Sequence, residues 1–322
     1  MSIQGRVHSV NVGGLRDLLV RDAPIPSGIV KVPQDRPCNV GRLGLDGDER
    51  AAPPKYGPEH HAVLVYPLEH YAYWAARFGE GPFEPGGFGE NVTVVGATED
   101  EVRVGDVIAC GSARLVVAQP RIPCRKLTAR VGVPSFARLF LESARVGYFL
   151  RVASPGVVAA GDAFFVVESD PDAPTIAEFV RVAEREYWDA VALEQILAAR
   201  ALPPLWRPAL EDKLARARSA LADGGWFGAR TLCVEARVED GANVVLTLRC
   251  PRNRPLPAIE RPSSIQMALT RGEHCGARRS CAVRSEGERY VACAPRSGDE
   301  VDRAVAALGV GELVRCLAPQ RS

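Results

Sequence analysis

The sequence lacks an excess of either charge. Lys and Arg together number 40 and Asp and Glu together number 39, so the formal net charge is +1 at pH 7. No basic tract and no acidic tail stands out, although such segments are typical of chains that bind nucleic acid or other highly charged partners. We therefore do not expect nucleic acid to be a partner.

Long apolar runs are also missing. A membrane-spanning helix needs about 20 mostly apolar residues in succession, and no such stretch is present. The opening sequence MSIQGRVHSVNVGG lacks the apolar segment of a secretory signal. We therefore expect no contact with a membrane and predict a cytoplasmic protein.

The cysteines follow no metal or disulfide pattern. There are nine of them, at irregular spacings, and none form a Cys-x-x-Cys pair. Paired cysteines at short spacing indicate structural zinc, and an even, patterned set is typical of small secreted domains. The sequence favours neither class and predicts free thiols in a reducing compartment.

The first part of the chain has the pattern of a β-barrel or sandwich. Short apolar runs separated by Gly, Pro and Asp extend over residues 1–170, which is typical of short strands. The runs are IVKV, HAVLVY, NVTVVG, DVIAC, RLVVAQ, GYFLRVA and AFFVVE. Helical spacing of apolar residues predicts a helix in LEHYAYWAARFG and a shorter one in PSFARLFLESAR.

A helical segment follows a Pro/Asp-rich linker. Thr175 and Glu178 have the spacing of a capping box, in which each side chain bonds the other residue's backbone at a helix start. Pro203 and Pro204 interrupt the helical pattern. We predict a domain of three short helices at residues 171–222.

The last part of the chain returns to a period of two, which favours strands. The predicted fold class is therefore mainly β with α. It comprises a β-barrel domain at 1–170, a three-helix domain at 171–222 and a second β-barrel domain at 223–322.

One cysteine has unusual neighbours. Cys124 lies between Pro123 and the cations Arg125 and Lys126, just after an apolar strand. Neighbouring cations favour the thiolate, which is the form that attacks electrophiles and binds metals. Proline restricts its own backbone and that of the residue before it, so the turn is stiff. The residues predict a reactive or metal-binding thiol; an idle surface cysteine is the alternative.

Four patches occur in order and carry a family resemblance. They are GLDGDERAAPPKYGPEHHAVLVYP (44–67), PGGFGENVTVVG (85–96), QPRIPCRKL (119–127) and VGYFLRVASPGVVAAGD (146–162). Together they resemble the MOSC domain, the module shared with the C-terminal part of molybdenum cofactor sulfurases. The helical segment that follows is similar to that of the YiiM-type subfamily. The resemblance covers about residues 1–220 and implies a closed barrel with a molybdenum cofactor in a cleft.

The resemblance also implies the chemistry of the site. The family's cysteine ligates molybdenum, and Cys124 matches it; a thiolate is a soft ligand suited to such a centre. YiiM-type proteins and the mitochondrial amidoxime-reducing component are similar to one another as reductases of N-hydroxylated compounds. Cations and amides would bind the pterin and its phosphate. The candidate cofactor-binding residues are Lys55, Tyr56, Glu90, Asn91, Arg121, Arg125 and Lys126.

One patch departs from the family's pattern. Family members carry His-Gly-Gly where this chain has Lys55-Tyr56-Gly57. Lysine can contact a phosphate as a point charge, but it cannot act as a neutral imidazole. His60 and His61 follow shortly after, and with Cys124 they complete the candidate catalytic residues.

Residues 226–322 resemble the flavin-binding barrel of ferredoxin-reductase-type proteins. The flavin motif there is Arg-x-Tyr-Ser, and the matching stretch here is Arg279-Ser280-Cys281-Ala282. The tyrosine that stacks on the flavin ring and the serine are both replaced. We therefore expect no bound flavin, and we expect the electrons to come from a separate partner protein.

Three functions remain open on the sequence alone. The first is a molybdenum-dependent oxidoreductase that reduces N–O bonds in small molecules. The second is an enzyme of a specialised, secondary-metabolite pathway that uses Cys124 as a nucleophile or sulfur carrier without molybdenum. The third is a carrier that holds the cofactor and passes it on. Metal content separates the first two, and catalytic activity separates both from the third.

Overall fold

The chain forms two compact units. A computed structural model describes residues 4–51, 57–185, 190–222, 229–250, 256, 258–259, 263–269, 278–317 and 320–321. The first unit comprises Met1–Arg185 with Val191–Glu211, and the second comprises Glu186–Ala190 with Asp212–Ser322. The predicted boundaries at 170/171 and 222/223 stay predictions.

The first unit contains thirteen strands among its described residues. They are β1 (Gln4–Val12), β2 (Arg16–Val20), β3 (Ala23–Ser27), β4 (Val32–Pro33), β5 (Cys38–Gly41), β6 (Gly44–Leu45), β7 (Val63–Pro67), β8 (Val92–Val95), β9 (Val107–Cys110), β10 (Ala113–Pro120), β11 (Tyr148–Ser154), β12 (Gly156–Val158) and β13 (Ala163–Glu168). All seven predicted apolar runs contain or overlap one of these strands.

The helices are short. They are α1 (Glu69–Phe78), α2 (Arg125–Val131), α3 (Phe136–Ser143), α4 (Ile176–Val180), α5 (Ala190–Ala198) and α6 (Arg207–Ala222). Single turns of 3₁₀-helix occupy Glu59–His61 and Pro204–Trp206, and a π-helical turn occupies Arg181–Arg185. The predicted helices in 68–79 and 134–145 are confirmed, as are the capping box at Thr175 and the interruption before α6.

Seven strands of the first unit close into a barrel. Their order is β13-β9-β10-β11-β7-β8-β1, and β1 pairs back with β13 to complete the ring. Every neighbouring pair is antiparallel except β7 and β8, which are parallel and are connected through α1. A parallel pair needs such a crossover because a tight hairpin reverses the chain direction. The predicted closed barrel is confirmed, although the sequence patterns did not identify β1.

Aromatic side chains fill the space between α1, α3 and the barrel. Phe136 is fully buried, and its ring centroid lies 4.9 Å from that of Trp74 and 5.2 Å from that of Phe140. Phe88 is also fully buried, with its centroid 5.5 Å from Phe136. Such tilted pairs stabilise a core beyond the area that they bury. This cluster anchors the 86–91 loop that contributes to the candidate site.

The second unit is also a closed barrel. Its strands are β14 (Ala229–Asp240), β15 (Asn243–Arg249), β16 (Ser263–Leu269), β17 (Arg278–Glu286), β18 (Arg289–Pro295), β19 (Leu313–Leu317) and β20 (Gln320–Arg321), and its further helix is α7 (Glu300–Ala306). Six of them form an antiparallel ring in the order β17-β18-β15-β14-β19-β16, closed by pairing of β16 with β17. Alternating burial along β15 confirms the predicted period of two.

No helix in the described part of the chain is long and apolar enough to span a membrane.

The aromatic cluster provides the first prediction. Replacing Phe136 by Ala leaves a cavity among four aromatic rings, and we expect the free energy of unfolding to fall by about 3–5 kcal/mol. Phe165→Ala is the control, because this β13 side chain is 37% exposed and leaves little cavity. The measurement is urea-induced unfolding of both variants. Equal losses would show that the cluster does not stabilise the first unit.

Candidate functional site

Cys124 lies at the start of a short helix. Strand β10 ends at Pro120, four irregular residues follow, and α2 begins at Arg125 with Cys124 as its N-cap residue. The Cys124 carbonyl accepts a hydrogen bond of 3.0 Å from the Leu127 N–H, while its side chain is exposed and makes no capping bond. The sequence predicted a stiff turn; the structure adds the helix, which fixes the Cys124 backbone from the C-terminal side.

Arg121 stands beside this cysteine as a buried cation. Its backbone N–H donates to the Gly147 carbonyl at 3.1 Å, and its guanidinium carbon lies 5.8 Å from the centroid of the Phe140 ring. Burial lowers the Arg121 pKa, and the nearby acidic groups of Cys124 and Glu90 oppose that shift. Nη1 is buried and finds no hydrogen-bond partner among the described residues. A buried, unpartnered N–H of a cation is costly unless a ligand accepts from it.

Gly147 allows the backbone of Arg121 to come this close. Its φ is 70°, and a Cβ there would lie 2.4 Å from the Val65 carbonyl oxygen. Its N–H donates to Glu99, whose other carboxylate oxygen is 2.6 Å from the His70 Nε2. The glycine of the VGYF sequence is therefore required by a tight approach of two backbone segments.

Glu90 is fully buried and only half satisfied. Its Oε1 accepts hydrogen bonds from the Tyr71 hydroxyl at 2.5 Å, the Gly86 N–H at 2.7 Å and the Thr93 hydroxyl at 2.8 Å. Its Oε2 has no partner among the described residues. Burial raises the pKa of Glu90, and the three hydrogen bonds oppose that shift.

Asn91 ties several segments together. Its Oδ1 accepts from the Leu64 N–H at 3.0 Å, and its Nδ2 donates to Asp48 Oδ2 at 2.9 Å and to the Asn11 carbonyl at 3.4 Å. Both amide hydrogens are used by the protein, so Asn91 keeps only one lone pair of Oδ1 for a ligand. The predicted contact of Asn91 with a pterin stays a prediction, limited to accepting a hydrogen bond.

Lys31 is a site cation that the sequence analysis missed. It is buried, and its Nζ forms an ion pair with Asp48 Oδ1. Burial lowers the Lys31 pKa, and the ion pair with Asp48 opposes that shift. Lys31 lies in the apolar run IVKV, where a single lysine has the pattern of an ordinary exposed strand residue. Nothing in the sequence indicated that this one points inward.

The glycines of the GFGEN region explain why Lys31 is there. A Cβ at Gly86 would lie 2.8 Å from the Lys31 carbonyl oxygen, and one at Gly89 would lie 2.6 Å from Ile29 Cγ1. Both glycines have φ near 80°, a conformation that other residues rarely adopt. The sequence suggested that these glycines make room for a ligand; in the structure, the chain's own 29–31 segment fills that room.

The remaining predicted site residues are dispersed. His61 Nδ1 lies 3.1 Å from the Gly57 carbonyl oxygen, and its Nε2 lies 3.0 Å from Gln119 Nε2. Burial lowers the pKa of both His61 and His60. His60 lines an open groove with Arg42 and Arg151. Nothing in this geometry links either histidine to the cysteine, so their catalytic roles stay predictions.

Two predicted cations flank Cys124 on α2. The side chain of Arg125 is exposed, while Lys126 Nζ donates to the Pro26 carbonyl at 2.8 Å and so connects α2 to the β2–β3 hairpin. Lys55 and Tyr56 lie outside the described residues.

The donor set near Cys124 fits a molybdenum cofactor. Such a group combines a soft metal centre with a hydrogen-bonding organic ring system and an anionic phosphate. The chain offers an exposed thiol for the metal, an unpartnered guanidinium N–H on Arg121 for an anion, and the free lone pair on Asn91. The fit rests on these unsatisfied groups.

The flavin-motif stretch of the second barrel does not fit a flavin phosphate. Arg279 on β17 forms ion pairs with Asp299 and with Asp302, the latter at 2.7 Å. These two aspartates also form the capping box at the start of α7. An anionic phosphate at Arg279 would face two carboxylates, so the arginine is engaged by the protein's own helix.

Comparisons with known proteins agree with the site's motifs. The sequence profile of the MOSC domain matches residues 52–164. The chain is 34% identical to "Protein YiiM" of Escherichia coli over 190 residues, which cover 58% of this chain and 84% of that protein. It is 33% identical to a "Reductase" of Gibberella moniliformis over 150 residues, 45% of this chain and 26% of that protein.

A solved structure shares the fold. The crystal structure of YiiM from Geobacillus stearothermophilus superposes with a TM-score of 0.56 at 32% sequence identity, covering 65% of this chain and 99% of that one.

The raised pKa of Glu90 gives a stability prediction. In the unfolded chain Glu90 ionises near its ordinary value of 4.5, whereas the folded protein holds the proton to higher pH. Its contribution to stability is therefore present below that ordinary value and is lost as the pH rises through the folded-state pKa. Glu90→Gln removes this loss while keeping an oxygen for the three donors.

We expect the free energy of unfolding of Glu90→Gln, relative to the parent, to increase from about pH 5 to about pH 8. Urea titrations of both proteins across that range make the comparison. A constant difference would show that Glu90 ionises normally in the folded protein. Glu142→Gln, at an exposed helical position, is the control.

Proposed function

Because the chain belongs to the MOSC domain family, we propose that it is an oxidoreductase that uses a molybdenum cofactor to reduce N-hydroxylated compounds, with Cys124 as the protein's ligand to the metal. The observation that carries this proposal is the exposed Cys124 thiol beside the buried, unpartnered guanidinium N–H of Arg121. The family's known reductase chemistry and the similarity to a protein named as a reductase support it.

Each residue near Cys124 has a distinct task in this proposal. Cys124 supplies a thiolate from a backbone that β10 and α2 hold on either side. Arg121 donates to an anionic group of the cofactor, and its burial strengthens that bond because little water competes. Arg125 adds a positive charge from the exposed face of α2. When bound, the cofactor supplies two-electron redox chemistry at its metal.

The overall reaction sets what the protein must deliver. Reduction of R–NH–OH to R–NH₂ and water consumes two electrons and two protons, and the N–O bond breaks. We propose that a separate electron-donor protein supplies the electrons, because Arg279 in the second barrel is engaged by Asp299 and Asp302 rather than free for a flavin phosphate. The protein's own acids supply protons to the departing oxygen.

A second function rests on the same cysteine. An exposed thiol between cations can act as a nucleophile or sulfur carrier in a specialised pathway without any metal. Metal content and activity decide between the two.

Metal content is the first test. We expect near-stoichiometric molybdenum in the parent protein made in a host that synthesises the cofactor, and none in Cys124→Ala, because the thiolate ligand is gone. Cys38→Ala is the matched control, since Cys38 is a partly exposed free thiol of the same unit. Elemental analysis of the three purified proteins makes the comparison.

Molybdenum retained in Cys124→Ala would exclude Cys124 as the ligand. Absence of the metal from every variant would reject the proposal and favour the thiol-based alternative, which labelling of Cys124 by an electrophile would then examine.

Substrate reduction is the second test. With a chemical reductant in place of the partner protein, we expect the parent to convert an amidoxime to its amidine. Cys124→Ala should fall to the rate measured without protein, while Cys38→Ala keeps the parent rate. Product is quantified by chromatography. An inactive parent that contains molybdenum would contradict the substrate class.

A further inference from the structure

We propose that Glu90 is held as a neutral carboxylic acid with its proton on Oε2, and that it donates this proton to the oxygen that leaves the N-hydroxylated substrate. This proposal rests on the function proposed above and adds a named proton donor to it. It also makes a statement about the protein alone, namely which carboxyl group is protonated and on which oxygen.

The hydrogen bonds around Glu90 decide which oxygen carries the proton. Oε1 accepts from the Tyr71 hydroxyl, the Gly86 N–H and the Thr93 hydroxyl, so it is surrounded by donors. A proton on Oε1 would point at one of these hydrogens. Oε2 accepts from no donor among the described residues. The proton therefore belongs on Oε2, which can donate outward.

The surroundings favour the neutral form. The side chain is fully buried, and an ionised carboxylate with one oxygen bare of donors and of water is expensive. Tyr66 and Tyr71 are the titratable neighbours from β7 and α1, and burial raises the pKa of each well above its ordinary value, so both stay neutral. Neither therefore carries a charge that changes with Glu90.

Two cations also face Glu90. The first, Lys31, already forms an ion pair with Asp48 and is thereby largely neutralised. The second, Arg121, interacts with the charges of both Glu90 and Cys124, which places it between the acid and the thiol. No hydrogen bond joins Arg121 Nη1 to Glu90 Oε2, since neither atom has a partner among the described residues. Both atoms are thus free for one ligand on the Cys124 side.

These contacts assign the proton's path. In the reduction of R–NH–OH, two electrons from the reduced partner protein break the N–O bond, and the oxygen leaves as water after taking up protons. Glu90 supplies one proton from Oε2 and is reprotonated from solvent in each turnover. The second proton comes from solvent. Arg121 holds the oxygen or a neighbouring anionic group while the proton moves.

The experiment combines spectroscopy of the protein with kinetics. Infrared spectra of the parent, Glu90→Gln and Glu99→Gln should show a carboxylic-acid C=O band near neutral pH that Glu90→Gln alone removes. Glu99 is the control because it is another buried carboxyl of the same barrel. Steady-state kinetics then compare the parent with Glu90→Gln, using an amidoxime and a chemical reductant.

We expect Glu90→Gln to lower kcat by about 100-fold or more, with KM and molybdenum content unchanged. The decline of the parent's kcat at alkaline pH should disappear in the variant, since glutamine has no proton to lose. A merely structural role would change molybdenum content or thermal stability instead.

Each contrary result has its own meaning. Absence of a Glu90 band overturns the proposal whether or not the protein binds molybdenum. A band with an unchanged pH profile in Glu90→Gln overturns the donor role. A parent without molybdenum or activity rejects the proposed function and the donor role together, while the band still decides the protonation state of Glu90.

Discussion

The side-chain amide of Asn91 is the interaction on which the candidate site depends. It joins the backbone of Leu64 in β7, the backbone of Asn11 in β1 and the carboxylate of Asp48. Its own backbone bonds the same two strands, through the Leu64 carbonyl and the Asn11 N–H. Each such buried bond contributes about 1 kcal/mol, and an orphaned partner costs more. Asp48 is thereby fixed where it neutralises Lys31.

Regular apolar patterns predicted much of the fold. The valine-rich runs of the barrel and the aromatic face of α1 were identified because the local period of two or of 3.6 survives in the structure. Strand β1 was missed because its inward positions include the polar Ser9 and Asn11, which are buried through hydrogen bonds to each other and to Thr93. Polar residues satisfied across 80 positions of sequence leave no local signal.

The candidate site was predictable only in part. Cys124 was identified by its immediate neighbours, and the family's motifs indicated Glu90 and Arg121. What the motifs did not contain is how those side chains are satisfied: which oxygen of Glu90 is bare, and that Arg121 is buried rather than exposed. Lys31 was hidden for the same reason, since its orientation follows from the packing of segment 29–31 against Gly86. Burial is a property of the assembled chain.

Closure of the first barrel through β1 and β13 has a consequence for folding. The two strands pair Gln4 with Phe165, so the ring unites nearly the first and the last residues of the barrel. Contacts at such sequence separation form late, because the entropy of closing a long loop must be overcome first. During synthesis the strand that carries the residues up to Cys124 leaves the ribosome before β13 does. The nascent barrel is therefore an open sheet with two unpaired edges, in the period when edge strands are most prone to pair with another chain.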